Sequence, residues 1–434
     1  MVTRIPSPGP AADALGTAPR TPAPGRSNAP TALILVLGAL TAVAPLAIDM
    51  YVPGFPTMGA ALHTSSSAVQ VTMTAFLVGL VVGQLVIGPL SDGIGRRKPL
   101  LAGTAGFLLV SLVCAVAPNI ETLTVARFFQ GVAGAAGMVL ARAIITDRFH
   151  GADIPRYFAL LSQILGVAPV AAPVLGGGIL AVSTWRAVFV ALAALGVLLL
   201  LAVLAKVPES LPPERRRSGG LREAFGAMGT LCRDRAFLGY VLTLGFAAGA
   251  LFAYVSGSSF VFESLHDVSP TTYALIFASN AMGMLVAGGV FGKLAGRVRI
   301  NTLLCTGVGI SLVGAVAQLV LLAALGETLA GTWISLFVIL LGVGLIFPAT
   351  MTLGQTLGRR SPGAASAFLG GLQFLLGAVA SPLVGLFGED SSAPMAAIML
   401  TGVTAAAISL CCLARPWRGA GESTKRNSTS TQGS

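Results

Sequence analysis

Charge is scarce in this sequence. Asp, Glu, Lys and Arg make up 10% of its 434 residues, against roughly 25% in soluble domains. Apolar residues make up 55% and the mean hydropathy is +0.85. One water-soluble core cannot hide that much apolar surface, so lipid is the expected solvent for most of the chain. Histidine is scarcer still: His63, His150 and His266 lie far apart. There is no HExxH, no pair of intramembrane carboxylates and no nucleophile-elbow sequence, so no enzymatic activity and no metal site are expected. Cys114, Cys232, Cys305, Cys411 and Cys412 are odd in number and lack zinc-ligand spacing, which argues against a disulfide framework. A nucleotide-binding loop is missing too. "GVFGKL" ends in Gly292-Lys293, but Ala287 stands where the first glycine belongs and Leu294 follows the lysine. No cofactor is expected, and an ion gradient is the remaining common energy source.

What is present is a series of long apolar runs. Twelve have about the length of a membrane span: 32–52, 68–90, 99–117, 122–146, 156–181, 185–206, 236–261, 270–291, 300–325, 330–353, 362–386 and 393–414. Residues 1–30, rich in Pro, Ala and Ser, read as a disordered tail with no signal-peptide core. The tail 415–434 reads the same way. The net charge of +11 does not point to nucleic acid, because the bases are scattered in short loops rather than gathered on one face. Arg96, Arg97 and Lys98 follow span 2; Arg142, Arg148 and Arg156 surround the end of span 4; Lys293, Arg297 and Arg299 follow span 8; Arg359 and Arg360 precede span 11. Acids dominate the other side: Glu121, Glu263, Asp267, Glu327, Glu389 and Asp390. Only Arg127 and Arg186 break the alternation. The positive-inside rule then places both termini in the cytoplasm. A charged loop, 207–235, divides a six-span bundle at 31–206 from a second at 236–414. The expected fold is an all-α membrane protein in two six-helix bundles. "GPLSDGIGRRKPLL" after span 2 and "GKLAGRVRINTLL" after span 8 hint at a repeat between the halves, with Gly296 where the first copy has its acid.

Four short stretches carry functional signal. Span 2 ends in "GPLSDGIGRRKPL", where Gly88, Asp92, Gly95, Arg96 and Arg97 resemble the signature loop of the major facilitator superfamily. Glycines permit a tight turn there, and the acid and bases can latch two halves together. Span 11 opens with Ser361 at a plausible N-cap and Pro362 at the first helical position, so its positive dipole end is a candidate partner for Asp92. The bland reading is that the bases merely anchor topology. Span 4 opens "LTVARFFQGVAGAAGM", and Arg127, Gln130 and Gly131 resemble the superfamily's Arg-x-x-Gln-Gly pattern in this helix; a snorkelling Arg127 is the plain alternative. Span 5 holds "LGVAPVAAPVLGGG". Gly166, Pro169, Pro173, Gly176 and Gly177 resemble the antiporter motif, although Ala168 and Ala172 stand where a Gly-Pro pair would need glycine. Span 1 ends in "LAIDMYVPGFP", which is similar to the first span of the Bcr/CflA-type branch of drug exporters. "ARAIITDRF" and "GAASAFLGGLQFLLGAVASPLVGLF" fit the same branch.

That resemblance covers 32–414 and implies export of drugs or amphipathic compounds in exchange for protons by a monomer in the cell (inner or plasma) membrane. The rival on the same fold is a proton-coupled importer of a small metabolite. Asp49 is the candidate proton carrier. At 1.5 Å rise it lies roughly 25 Å into the bilayer, where an acid is disfavoured by about 2.5–3.5 kcal/mol. Arg127 reaches a similar depth from the other side, so an Asp49–Arg127 site is expected. Burial and a nearby guanidinium act in opposite directions on a carboxyl's proton affinity, and opening a cavity changes both. Met50, Tyr51, Gln84, Gln130, Gln163, Phe252, Tyr254, Asn280, Gln373 and Phe374 are the candidate cavity residues. For any one of them, ordinary helix packing is an equally good reading.

Overall fold

In hydrocarbon every backbone N–H and C=O must find its partner within the segment, and a continuous apolar run achieves that as a helix. The computed structural model describes residues 31–149, 153–216, 226, 229–359, 362–386 and 391–422. Among these, twelve helical stretches are long and apolar enough to cross a membrane. The first half comprises α1 (Thr31–Asp49), α2 (Phe55–Ala61), α3 (Ser66–Ile94), α4 (Arg97–Ala115), α5 (Ile120–Arg148), α6 (Asp153–Val182) and α7 (Trp185–Lys206). The second comprises α8 (Arg235–Ser259), α9 (Pro270–Leu294), α10 (Ile300–Leu325), α11 (Leu329–Leu357), α12 (Pro362–Leu386) and α13 (Ala393–Ser409).

Local chemistry sets the helix starts. Ser65, Asn119, Asp234 and Ser269 each accept a backbone N–H from the first turn of α3, α5, α8 and α9, and Pro270 sits at the start of α9, where its missing N–H costs nothing. The first span is not one straight helix. It was expected to run to residue 52, but α1 stops at Asp49. A 3₁₀ turn at Val52–Gly54 and the short α2 follow. Pro53 and Pro56 have no N–H to give to the ladder and cannot extend α1 regularly. α8 and α13 each end in a turn of π-helix, at Phe260–Leu265 and Leu410–Ala414.

α3 and α5 lie close because each offers a glycine to the other. A β-carbon at Gly79 would overlap the Phe128 carbonyl oxygen, and one at Gly131 would overlap that of Phe76. Small residues at such crossings replace the hydrophobic drive that is absent between helices in lipid. The halves pack internally and meet along two seams, α3 with α12 and α6 with α9. One end of the bundle carries Arg96, Arg97 and Lys98 and is here termed the basic end. At the opposite end Arg186 is satisfied locally, donating to the Ala117 carbonyl at 2.9 Å and lying 4.2 Å over the Trp185 ring.

Candidate functional site

The break after Asp49 governs the site. Asp49 is buried, 5% exposed, and among the described residues it makes no hydrogen bond or ion pair. It lies within electrostatic reach of the hydroxyls of Tyr254 and Tyr273, both from the second half. Those phenols belong to one cluster. Asn280 donates to the Tyr254 oxygen at 3.2 Å, Tyr273 and Ser258 share a hydrogen bond of 2.8 Å, and the Tyr254 and Phe277 rings stack at 5.1 Å. The Asn280 oxygen is itself buried without a partner.

Arg127 is fully buried, but the expected Asp49–Arg127 pair is not formed in this structure. Its guanidinium lies 4.2 Å from the ring centroids of both Tyr51 and Phe76 and 5.8 Å from that of Phe189. Nη1 donates to Gln130 Oε1 at 2.6 Å, and Gln130 Nε2 donates to Ser111 Oγ at 2.7 Å. Nε and Nη2 are buried with no acceptor. The snorkelling alternative therefore fails, because nothing of Arg127 reaches the surface. The chain leaves the helix after Asp49, and Tyr51, two residues on, is what faces the cation.

α6 packs against both sides of this region. A β-carbon at Gly176 would overlap the Met50 carbonyl, next to Asp49; one at Gly177 would lie 2.7 Å from the Ala274 β-carbon of α9. Gly166 similarly faces Leu285. Pro169 and Pro173 fall inside α6 without ending it. The remaining cavity candidates scatter. Tyr51 and Gln130 belong to the arginine cage. Phe252 and Phe374 pack together at 6.1 Å. Gln84 lies near Gly370 with Nε2 unpartnered, Gln373 is half-buried and Gln163 is exposed. A hollow of about 500 Å³ on the flank of α4 and α5, lined by Val110, Val113, Glu121 and Phe129 among others, includes none of them.

At the basic end the signature loop closes on the first half itself. Gly95 has φ +97°, a backbone state open to glycine. Arg96 forms ion pairs with Asp92 at 2.6 Å and Asp147 at 2.9 Å and donates to Ser91 Oγ at 2.6 Å. Glu209, from the segment after α7, accepts the backbone N–H groups of Arg96 at 2.8 Å and Arg97 at 3.3 Å, so it caps the start of α4 from a distance. Burial opposes the Glu209 charge, but the amides of Leu211, Arg96, Arg97 and Ser210 outweigh it and hold the carboxyl below its usual range. Asp92 is half exposed and, among the described residues, its ion pair is with Arg96. Ser361, its expected neighbour at the start of span 11, lies outside the described residues, as does the cap of α12. Gly88 contacts Val139 within the same half.

A family model described as Major Facilitator Superfamily matches residues 37–382. The chain belongs to the major facilitator superfamily. It is 42% identical over 370 residues to the uncharacterized MFS-type transporter YdgK of Bacillus subtilis (strain 168), covering 85% of this chain and 92% of that one. It is 29% identical over 377 residues to the bicyclomycin resistance protein homolog of Haemophilus influenzae, covering 83% and 91%. Among solved structures, a bacterial homolog of the human lysosomal transporter Spinster, inward-facing and unoccupied, superposes with a TM-score of 0.66 at 17% identity over 90% of this chain and 96% of that one. The protein is thus a multi-pass membrane transporter of the superfamily's twelve-span fold and not an enzyme.

Within this superfamily frame several contributors escaped the sequence reading. Phe76, Phe189 and Ser111 complete the Arg127 cage and look like ordinary core residues in the sequence. Tyr273 and Ser258 sit at the expected helix ends with nothing to mark them. Asp147 was within reach, since "ARAIITDRF" was already singled out and contains it. Glu209 was hidden in "PESLPPERRRSGG", a stretch that reads as solvated linker.

Proposed function

We propose that the protein exports drug-like or amphipathic small molecules across the cell membrane in exchange for protons, with Asp49 as the proton carrier. One observation carries the reading: Asp49 is a buried acid with no counter-ion among the described residues, held at the break in α1 where the first half meets the tyrosines of the second. An unpaired buried charge is costly, so the charge on Asp49 is coupled to how the halves are arranged around it. Arg127 supplies the complementary charge. Its two unmatched donors are available to a carboxylate or to cargo when the halves rearrange. Gly176, Gly177 and the two prolines of α6 let that helix ride close to both Met50 and α9, which suits exchange by rocking. The loop Gly88–Arg97 is the candidate latch, and its Arg96 pairs with Asp92 and Asp147. The bicyclomycin resistance homolog supports drug-like cargo.

The test is a proteoliposome assay with an imposed pH gradient, offering chloramphenicol-like, bicyclomycin-like and cationic dye substrates. Wild type moves at least one substrate uphill against the proton flow. Asp49→Asn retains binding but loses gradient-driven accumulation about a hundredfold or more. If Asp49→Asn still accumulates cargo uphill, the acid is not the carrier; if cargo moves with the protons, the protein imports.

A further inference from the structure

The halves are joined by hydrogen bonds at the end opposite the basic loops, and a proline lies beside one of them. Pro382 lies inside α12 and has no N–H, so the Ala378 carbonyl four residues earlier loses its helical donor. Thr74 Oγ1, from α3, donates to that carbonyl at 3.0 Å. One turn away, the Gln70 side chain, 1% exposed, reaches two helices of the other half at once. Its Nε2 donates to the Ser256 carbonyl of α8 at 3.2 Å, and its Oε1 accepts the Gly385 N–H of α12 at 2.9 Å. Ser256 Oγ in turn donates to the Ser381 carbonyl at 3.1 Å, tying α8 to α12. The approach is so close that a β-carbon at Gly385 would lie 2.8 Å from both Gln70 Oε1 and the Ser67 backbone. Among the described residues no hydrogen bond or ion pair joins the halves at the basic end.

We infer that Gln70 and Thr74 are the gate residues that hold the non-basic face shut, and that Thr74 acts through the carbonyl which Pro382 sets free. These are positioning residues for transport, whatever the cargo and whatever the coupling ion. A side chain that satisfies backbone groups of two opposing helices binds only in the closed arrangement, so it biases the equilibrium between the two faces. Its partners are main-chain atoms, which no side-chain substitution in the other half removes.

The experiment measures the gap across that face by pulsed electron spin resonance in lipid nanodiscs. Spin labels go on Ala60→Cys and Ser264→Cys, both exposed, with Cys232, Cys305, Cys411 and Cys412 changed to serine. Wild type gives a short distance. Thr74→Val raises the long-distance population about fivefold, the worth of one buried hydrogen bond, and Gln70→Leu raises it more than tenfold. Thr74→Ser restores the wild-type distribution, which a merely packing role would not predict. Pro382→Ala restores the helical N–H, but the Ala378 carbonyl keeps a second lone pair for Thr74, so this variant opens the face less than Thr74→Val does. Unchanged distances in Gln70→Leu and Thr74→Val would overturn the proposal.

Discussion

Arg127 and Arg96 are both buried arginines of the first half, and the molecule settles their charges by different means. Arg96 has two carboxylates, Asp92 and Asp147, and a serine hydroxyl. Arg127 has no carboxylate. It is held by the faces of Tyr51 and Phe76 and by one amide oxygen, with two N–H donors unmet. Ring quadrupoles can hold a guanidinium in a dry interior, but buried donors without acceptors are rare in native proteins and usually mark a functional position. The contrast separates an arginine that fastens a loop from one that keeps capacity for a further partner.

The comparison breaks most sharply at Arg127. Arg127→Ala is expected to lower initial transport rates in proteoliposomes about a hundredfold, the scale of two desolvated ring contacts. Arg127→Lys recovers only part of that, since a lysine has neither the planar fork nor the stacking face. Full activity in Arg127→Lys would reduce the cage to a site for any positive charge. Arg96→Ala is the next largest effect and lies in stability. It leaves Asp147 with only the Ser210 hydroxyl and Ser91 with only the Gly88 carbonyl, and is expected to cost about 1–3 kcal/mol, the lower part of the range for breaking a buried pair because Asp92 is half exposed. A fall in thermal unfolding temperature in detergent, with transport rates of the surviving protein near normal, is the expected pattern. The smallest effect is at Glu209. Its folded carboxyl titrates below the unfolded value of about 4.3. Its contribution is therefore complete above that value and is lost as pH falls through the folded value. At neutral pH Glu209→Gln should speed hydrogen exchange at the Arg96 and Arg97 amides by roughly fivefold, and the two proteins should converge in acid. A difference that persists in acid would assign the clip to shape rather than charge.

The twelve spans were legible because lipid forces long apolar runs into helices, and the expected limits fall within a few residues of those observed. The loop chemistry was legible in part. Asp92 and Arg96 were singled out as an acid and a base of one loop, but their pairing was not foreseen, because the expected partner of Asp92 was the start of span 11; Glu209 arrives from more than a hundred residues away by a route that only folding sets. The site was legible in depth but not in direction. Counting rises placed Asp49 and Arg127 at similar levels, but facing is decided by the end of α1 and by how closely Gly176 lets α6 approach Met50. That is why Tyr51, and not Asp49, meets the guanidinium. Gln70 was missed because a glutamine near a helix start resembles any cap-side polar residue until the opposite helices are in place.

The adjacent glycines of α6 have one more implication. Gly176 faces a backbone carbonyl of the first half and Gly177 a small side chain of α9 in the second, so neither contact involves interlocking rotamers. A surface without teeth can shift by fractions of a helical turn without unpacking anything. This helix is built as a smooth bearing, and a single added methyl group on either position would turn it into a wedge.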